Sequence, residues 1–123
     1  MGVMAKDTVR IGSVVMNCND FARMMAFWQE ALRYAPREPP PPGDNFVILR
    51  DPAGRRPNVS IDQGEPERGQ LHLDLYTDDQ DIEVERLLRL GATRYRPREP
   101  GEDFVVLADP EGNLFCVVDT KGR

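Results

Sequence analysis

Two hydrophobic periodicities alternate along the chain. Short segments rich in β-branched and aromatic residues alternate apolar with polar positions, which is typical of half-buried strands. Between them, apolar residues recur at helical spacing and follow N-capping side chains such as Asp20. The pattern predicts strands at about 9–17, 46–50, 58–63, 70–76, 93–96, 103–108 and 114–118, and helices at about 21–34 and 81–90.

The chain also repeats itself. FVILRDPAG at 46–54 returns as FVVLADPEG at 104–112, and YAPREP at 34–39 returns as YRPREP at 95–100. The same order at nearly the same spacing indicates an internal duplication. The first copy has three more residues between the two blocks, which we assign to the proline run 39–42, since loops absorb changes of length at little cost. We therefore predict one domain, 1–123, with two βαβββ modules at about 9–64 and 69–119.

Composition narrows the range of partners. The formal net charge is −5 and the sequence pI is about 4.9, which argues against nucleic acid, because phosphate binding needs clustered Lys and Arg. The sequence has no apolar run long enough for a membrane helix, no signal-peptide layout and only two cysteines. These features predict a cytoplasmic protein that binds neither membranes nor nucleic acid.

Three motifs carry a resemblance to a known family. LHLDL at 71–75, an amphipathic segment ending in LGA at 90–92, and DPEGNLFCV at 109–117 resemble the vicinal oxygen chelate superfamily, in particular its glyoxalase-like and bleomycin-resistance-like members. The resemblance implies an α+β fold in which two βαβββ modules form a curved mixed β-sheet around a cleft, with helices on the convex face. It also implies a homodimer. The fold serves metal-dependent isomerases, dioxygenases and metal-free drug-binding proteins alike.

Alternation within two of the strands predicts a polar face. In the segment 70–76 the leucines point toward the helix, and His72, Asp74 and Tyr76 point the other way. In the segment 58–63, Ser60 and Asp62 likewise lie opposite the apolar side chains. The expected cleft is therefore lined by polar groups.

The resemblance also identifies the positions of metal ligands. Metal-binding relatives have a His on the opening strand of one or both modules and an acid on the last strand. His72 matches the His of the second module, whereas Ser13 occupies that position in the first. Cys116 replaces the acid of the second module, and Ser60 or Asp62 replaces that of the first, since the insertion at 55–57 leaves the register open. We therefore expect no metal cofactor. The alternative is a divalent metal held by His72, Asp62 and Cys116.

These expectations lead to one hypothesis with one alternative. The first is a glyoxalase/bleomycin-resistance-like protein that binds a small molecule in the cleft without a metal, through Ser13, Ser60, Asp74 and Cys116. The alternative is a lyase, isomerase or dioxygenase. In that enzyme His72 is an acid/base oriented by Asp62 or Asp74, or a ligand of a non-standard metal site. For Cys116 a packing role is expected instead of a nucleophilic one.

Overall fold

The computed structural model describes residues 9–64 and 69–121, which contain eight strands and two helices. Within these ranges no helix is long and apolar enough to cross a bilayer. The elements are β1 Arg10–Asn17, α1 Phe21–Leu32, β2 Ala35–Pro36, β3 Phe46–Arg50, β4 Asn58–Asp62, β5 Leu71–Thr77, α2 Gln80–Leu90, β6 Thr93–Arg94, β7 Phe104–Ala108 and β8 Leu114–Asp119. The α+β class and the two βαβββ modules are confirmed. The short strand β2 is an element that the periodicity did not reveal.

Both modules have the same strand order. In the first, the strands lie in the order β2-β3-β4-β1, with β1 parallel to β4 and the other pairs antiparallel. In the second, β5-β8-β7-β6 repeats that arrangement, with β5 parallel to β8. The duplication seen in the sequence is therefore a duplication of topology.

The chain folds into two compact units. Among the described residues, one unit comprises 12–64 and 69–73, and the other comprises 9–11 together with 74–121. The predicted single domain and the predicted cleft stay predictions.

Helix α1 packs on one face of its own module. Val47, Leu49, Val59 and Ile61 form the buried cluster beneath it, and the partly buried residues of the helix stripe pack against that cluster. Trp28 belongs to this stripe, so its indole is a packing group. Because Leu49 and Ile61 face the helix, Ile48, Arg50, Ser60 and Asp62 project from the opposite face.

In the second module α2 packs on the two inner strands. Val84 of the helix contacts Val105 and Leu107 of β7 and Val117 of β8. The leucines of β5 are a correction to the sequence analysis: Leu71 is 62% exposed and Leu73 is 38% exposed, although the alternation is as predicted. The helix lies over β7 and β8, so it does not cover the first half of β5.

The position of the length difference between the modules is a second correction. The loop between β2 and β3 spans 37–45, and its counterpart between β6 and β7 spans 95–103, so the two loops are equally long. The additional residues lie instead between β3 and β4, at 51–57 against 109–113. Tyr34 precedes β2 and is buried, whereas Tyr95 follows β6 and is exposed. The YxPREP repeat is therefore not a structural equivalence.

The two modules end their helices differently. The carboxylate of Asp20 accepts the Arg23 backbone N–H at 3.2 Å and caps the start of α1, as the sequence predicts. Helix α2 ends at Gly91, whose φ of 119° suits glycine. Helix α1 ends at Arg33 with a φ of 57°, a left-handed conformation that costs a non-glycine residue free energy.

Both DPxG turns are organised by their aspartates. Asp51 accepts the backbone N–H groups of Ala53, Arg55 and Arg56 at 3.0 to 3.2 Å. The hydrogen bond from Ala53 is the largest of the effects that lower the pKa of Asp51 below its ordinary value. The pKa of Asp109 is also lowered, chiefly by the side-chain hydrogen bond from Asn113. The hydrogen bonds favour the ionised carboxylates, so both groups stabilise the turns more when they are ionised than when they are protonated.

We expect part of the acid sensitivity to come from Asp51. Because its pKa is lower in the folded chain than the value of about 3.9 in an unfolded one, its contribution is present above pH 4 and is lost as the pH falls through the folded-state pKa. The urea midpoint should therefore drop less between pH 7 and pH 3 in Asp51→Asn than in the wild type. Exposed Asp81→Asn is the control, and equal drops in all three proteins would contradict the prediction.

Candidate functional site

The strand register identifies equivalent positions in the two modules. Ile48 on β3 pairs with Ser60 on β4, and Val106 on β7 pairs with Cys116 on β8. Because β3 and β7 begin and end at equivalent residues, Ser60 is the counterpart of Cys116. The choice between Ser60 and Asp62, which the sequence left open, is thereby made in favour of Ser60.

The parallel ladders extend the equivalence to the opening strands. Ser60 pairs with Val15, and Cys116 pairs with Asp74. Two residues earlier on those strands lie Ser13 and His72, which are therefore also counterparts. The positions at which the resemblance implies metal ligands are occupied by two serines in the first module, and by a histidine and a cysteine in the second.

The two serines are bonded to each other. Their hydroxyl oxygens lie 2.7 Å apart in a hydrogen bond, and the residues are 0% and 1% exposed. A neutral hydroxyl is a much weaker ligand for a transition metal than imidazole, thiolate or carboxylate. The first module therefore presents a closed polar pair at both candidate ligand positions.

Asp62 projects from the same face as Ser60, two residues further along β4. It is buried, and its Oδ1 accepts the backbone N–H of Gly64 at 2.7 Å. Its register partners are Asn17 on β1 and Phe46 on β3. The carboxylate thus helps to fix the chain as it leaves β4.

In the second module three ligand-type side chains come together on β5 and β8. One candidate ligand atom each from His72, Asp74 and Cys116 lies within 4.8 Å of the other two. His72 and Cys116 are buried, and Asp74 is partly buried. The carboxylate in this group is Asp74, while Asp62 bonds the backbone at Gly64. Nitrogen, oxygen and sulfur donors of this kind fit a borderline cation such as Zn²⁺.

Fewer strands carry polar side chains than the alternation predicts. Around Cys116, Val106 and Val118 form a buried apolar cluster, against which Tyr76 and Phe104 pack. Strand β8 is buried on both faces, so its alternation puts apolar side chains on each. Polar groups are thus concentrated on β1, β4 and β5. Cys116 is 2% exposed within this cluster.

Cys18 lies before α1, a setting that by itself lowers the pKa of a thiol. In the structure the pKa of Cys18 is raised above its ordinary value, first by burial and then by the negative charges of Asp62 and Asp20. The thiolate is disfavoured, so Cys18 is not an activated nucleophile.

A groove in the first module was not predicted. Its volume is about 270 Å³, and it lies between the proline loop and the non-helix face of β3. Its lining is Pro36, Arg37, Glu38, Pro39, Pro40, Pro41, Asp44, Phe46, Val47, Ile48 and Arg50. The signal in the sequence was the alternation of Phe46, Ile48 and Arg50, which puts two apolar groups and a cation on one face.

A family model described as "glyoxalase-like domain" matches residues 13–118, most of the chain. The chain belongs to this family. Among curated protein sequences none matches it.

Solved structures share the glyoxalase-like fold at low sequence identity. A glyoxalase/bleomycin resistance protein/dioxygenase superfamily member from Vibrio splendidus 12B01 is 18% identical with a TM-score of 0.62, over 89% of this chain and 97% of the other. Methylmalonyl-CoA epimerase from Mycobacterium tuberculosis is 15% identical with a TM-score of 0.64, over 94% and 91%. A Legionella pneumophila structure described as an NAD-dependent benzaldehyde dehydrogenase is 16% identical with a TM-score of 0.64, over 86% and 96%. These likenesses establish the fold, which serves several chemistries.

Proposed function

We propose that this glyoxalase-like protein binds a small organic molecule without a metal ion. The supporting observation is the hydrogen-bonded pair Ser13 and Ser60 at the two positions where metal-binding relatives hold ligands. Ser13, Ser60 and Asp62 offer hydroxyl and carboxylate groups to the ligand from the first module. His72, Asp74 and Cys116 offer imidazole, carboxylate and thiol groups from the second. A few polar groups among apolar strands are typical of small-molecule sites.

The first test of the proposal is whether a small molecule remains bound to the protein through purification. We expect native mass spectrometry to detect a small-molecule adduct, and isothermal titration of the identified compound to give a measurable Kd. His72→Ala should weaken binding about tenfold or more, because a hydrogen bond to a buried partner is lost. Glu85→Ala, on the exposed face of α2, is the matched control. Equal affinities of wild type and His72→Ala would contradict this site.

The second candidate is an enzyme of the lyase, isomerase or dioxygenase type with a non-standard metal centre. The group His72, Asp74 and Cys116 favours it, since three donors would leave a coordination position for a substrate. A bound divalent cation would supply Lewis-acid chemistry there. The residues themselves would hold the ion, and Asp74 would carry negative charge into the site.

Cobalt titration separates the two candidates. Without a metal site, Co²⁺ added to chelator-treated protein gives no thiolate-to-metal absorption band, and elemental analysis of untreated protein gives less than about one-tenth of an ion per chain. A stoichiometric band that disappears in Cys116→Ser and persists in Cys18→Ser would establish the metal centre in place of the metal-free site. Cys18 is the matched control because it lies outside the group.

We also propose that the protein is a homodimer. Exposed apolar side chains on β5, Leu71 and Leu73 among them, are surfaces that a second copy could cover. Light scattering coupled to size exclusion should then give twice the 14.0 kDa of the chain. A mass of one chain at micromolar concentration would contradict the proposal.

A further inference from the structure

Arg50 lines the proline-lined groove and has no charged partner among residues 9–64 and 69–121. Its Nε atom is buried without a hydrogen bond, and no described residue forms an ion pair with its guanidinium. Guanidinium groups carry five N–H donors, and leaving a buried donor unsatisfied costs free energy. An acceptor within hydrogen-bond reach of this Nε would remove the cost.

The rest of the groove suits the body of a small apolar molecule. Phe46 and Ile48 project from β3 on the same side as Arg50. Pro39, Pro40 and Pro41 of the loop 37–45 also line the groove. Proline rings hold the loop in an extended, stiff conformation, so little conformational entropy is lost when a ligand binds. The volume of about 270 Å³ is slightly below the usual range for ligand pockets, which suits a small ligand.

The charges around the groove favour an anion at its base and not at its rim. Arg37, Glu38 and Asp44 also line the groove, and all three are exposed to solvent, where their fields are screened. Arg50 is the partly buried charge among the four. Its guanidinium fork matches the two oxygens of a carboxylate or a phosphate.

We propose that the groove binds a small amphipathic anion, with its oxyanion on Arg50 and its apolar body between Phe46 and the prolines. This inference rests on the proposed function, whose ligand class it specifies, since Ile48 of the groove pairs with Ser60 on the same face. Carboxylates and phosphate monoesters share the required chemistry. Neutral molecules of the same shape do not.

Three naphthalene probes test the charge requirement on the wild-type chain. By isothermal titration, 1-naphthoate or 1-naphthyl phosphate should bind at least tenfold more tightly than 1-naphthamide, which has the same body without the charge. The two anions distinguish a carboxylate site from a phosphate site. Equal affinity of all three probes, or no binding of either anion at millimolar concentration, would overturn the proposal without the use of any variant.

Variants then test the residue. Arg50→Gln should weaken binding of the better anion about tenfold and leave binding of the amide unchanged, while Arg50→Lys should keep part of the affinity. Arg55→Gln, an exposed arginine after β3, is the matched control. Anion binding that survives Arg50→Gln would overturn the proposal. A metabolite whose affinity depends on His72 and not on Arg50 would also overturn the groove proposal, but it would support the proposed function. Arg50-dependent probe binding without any His72-dependent metabolite would support the groove and contradict the proposed function.

Discussion

Truncation of Leu49 to alanine should lower the free energy of unfolding by about 3 kcal/mol. Leu49 is fully buried on the face of β3 that lies under α1, among Val47, Val59 and Ile61. Removing its side chain loses the hydrophobic transfer free energy and leaves a cavity that close-packed neighbours fill only in part. Leu107→Ala at the equivalent position of β7 should cost a similar amount, since Leu107 is also fully buried.

Urea unfolding followed by circular dichroism measures both losses. Leu90→Ala is the control, because Leu90 at the end of α2 is 68% exposed and its truncation should change stability by less than about 0.5 kcal/mol. If Leu49→Ala were no more destabilising than Leu90→Ala, the packing of the first module would not be as described.

Loss of one hydroxyl from the serine pair is expected to cost about 1 to 3 kcal/mol. In Ser13→Ala the hydroxyl of Ser60 stays buried, without the partner that lies 2.7 Å away in the wild type. Ser60→Ala should behave in the same way. The double substitution removes both polar groups together, so its cost should be smaller than the sum of the two single costs.

The double-mutant cycle therefore measures the coupling of the pair. We expect a coupling free energy of at least about 1 kcal/mol, from urea midpoints of the four proteins without ligand. Strictly additive effects would mean that each hydroxyl has another partner. The same four proteins serve in the ligand titrations, where loss of affinity without loss of stability would identify hydroxyls that contact the ligand.

Most of the fold could be predicted from local signals. Strand β3 was located to the residue, because Asp51-Pro52 follows an apolar run that starts at Phe46. Helix α2 was located to within one residue at its start, and its end was marked by Gly91. Strand β2 was not predicted, whereas the equally short β6 lies within the predicted strand 93–96, since Ala35-Pro36 contains no β-branched or aromatic residue and β6 contains Thr93. Strand β2 is defined by its pairing with Leu49 and Arg50.

The errors arose where identical letters occupy different structural positions. YAPREP and YRPREP look like one block, yet Tyr34 is buried and donates its hydroxyl to the Pro57 carbonyl at 3.0 Å, whereas Tyr95 is exposed. Similar runs of turn-forming residues recur in unrelated loops, because the same turn conformations favour the same residues. Hydrogen-bond register, which the sequence does not display, was needed to find the true equivalence.

The candidate site could be predicted only in part, because it too depends on strand register. Alternation predicts that Ser60 and Asp62 share one face of β4 and that His72 and Asp74 share one face of β5. It does not predict which of the two carboxylates lies near the histidine. Proximity of Asp74 to His72 and Cys116 depends on the pairing of β5 with β8. Arg50 was missed because an arginine at the end of a strand is usually solvated, and only the loop 37–45 makes it the base of a groove.

The loops 37–45 and 95–103 have the same length, and each connects a two-residue strand to a five-residue strand in the same register. Loops tolerate changes of sequence better than the strands that they connect. Substitutions in one of these loops can therefore change the surface that it presents, while the strand pairing at both of its ends is retained.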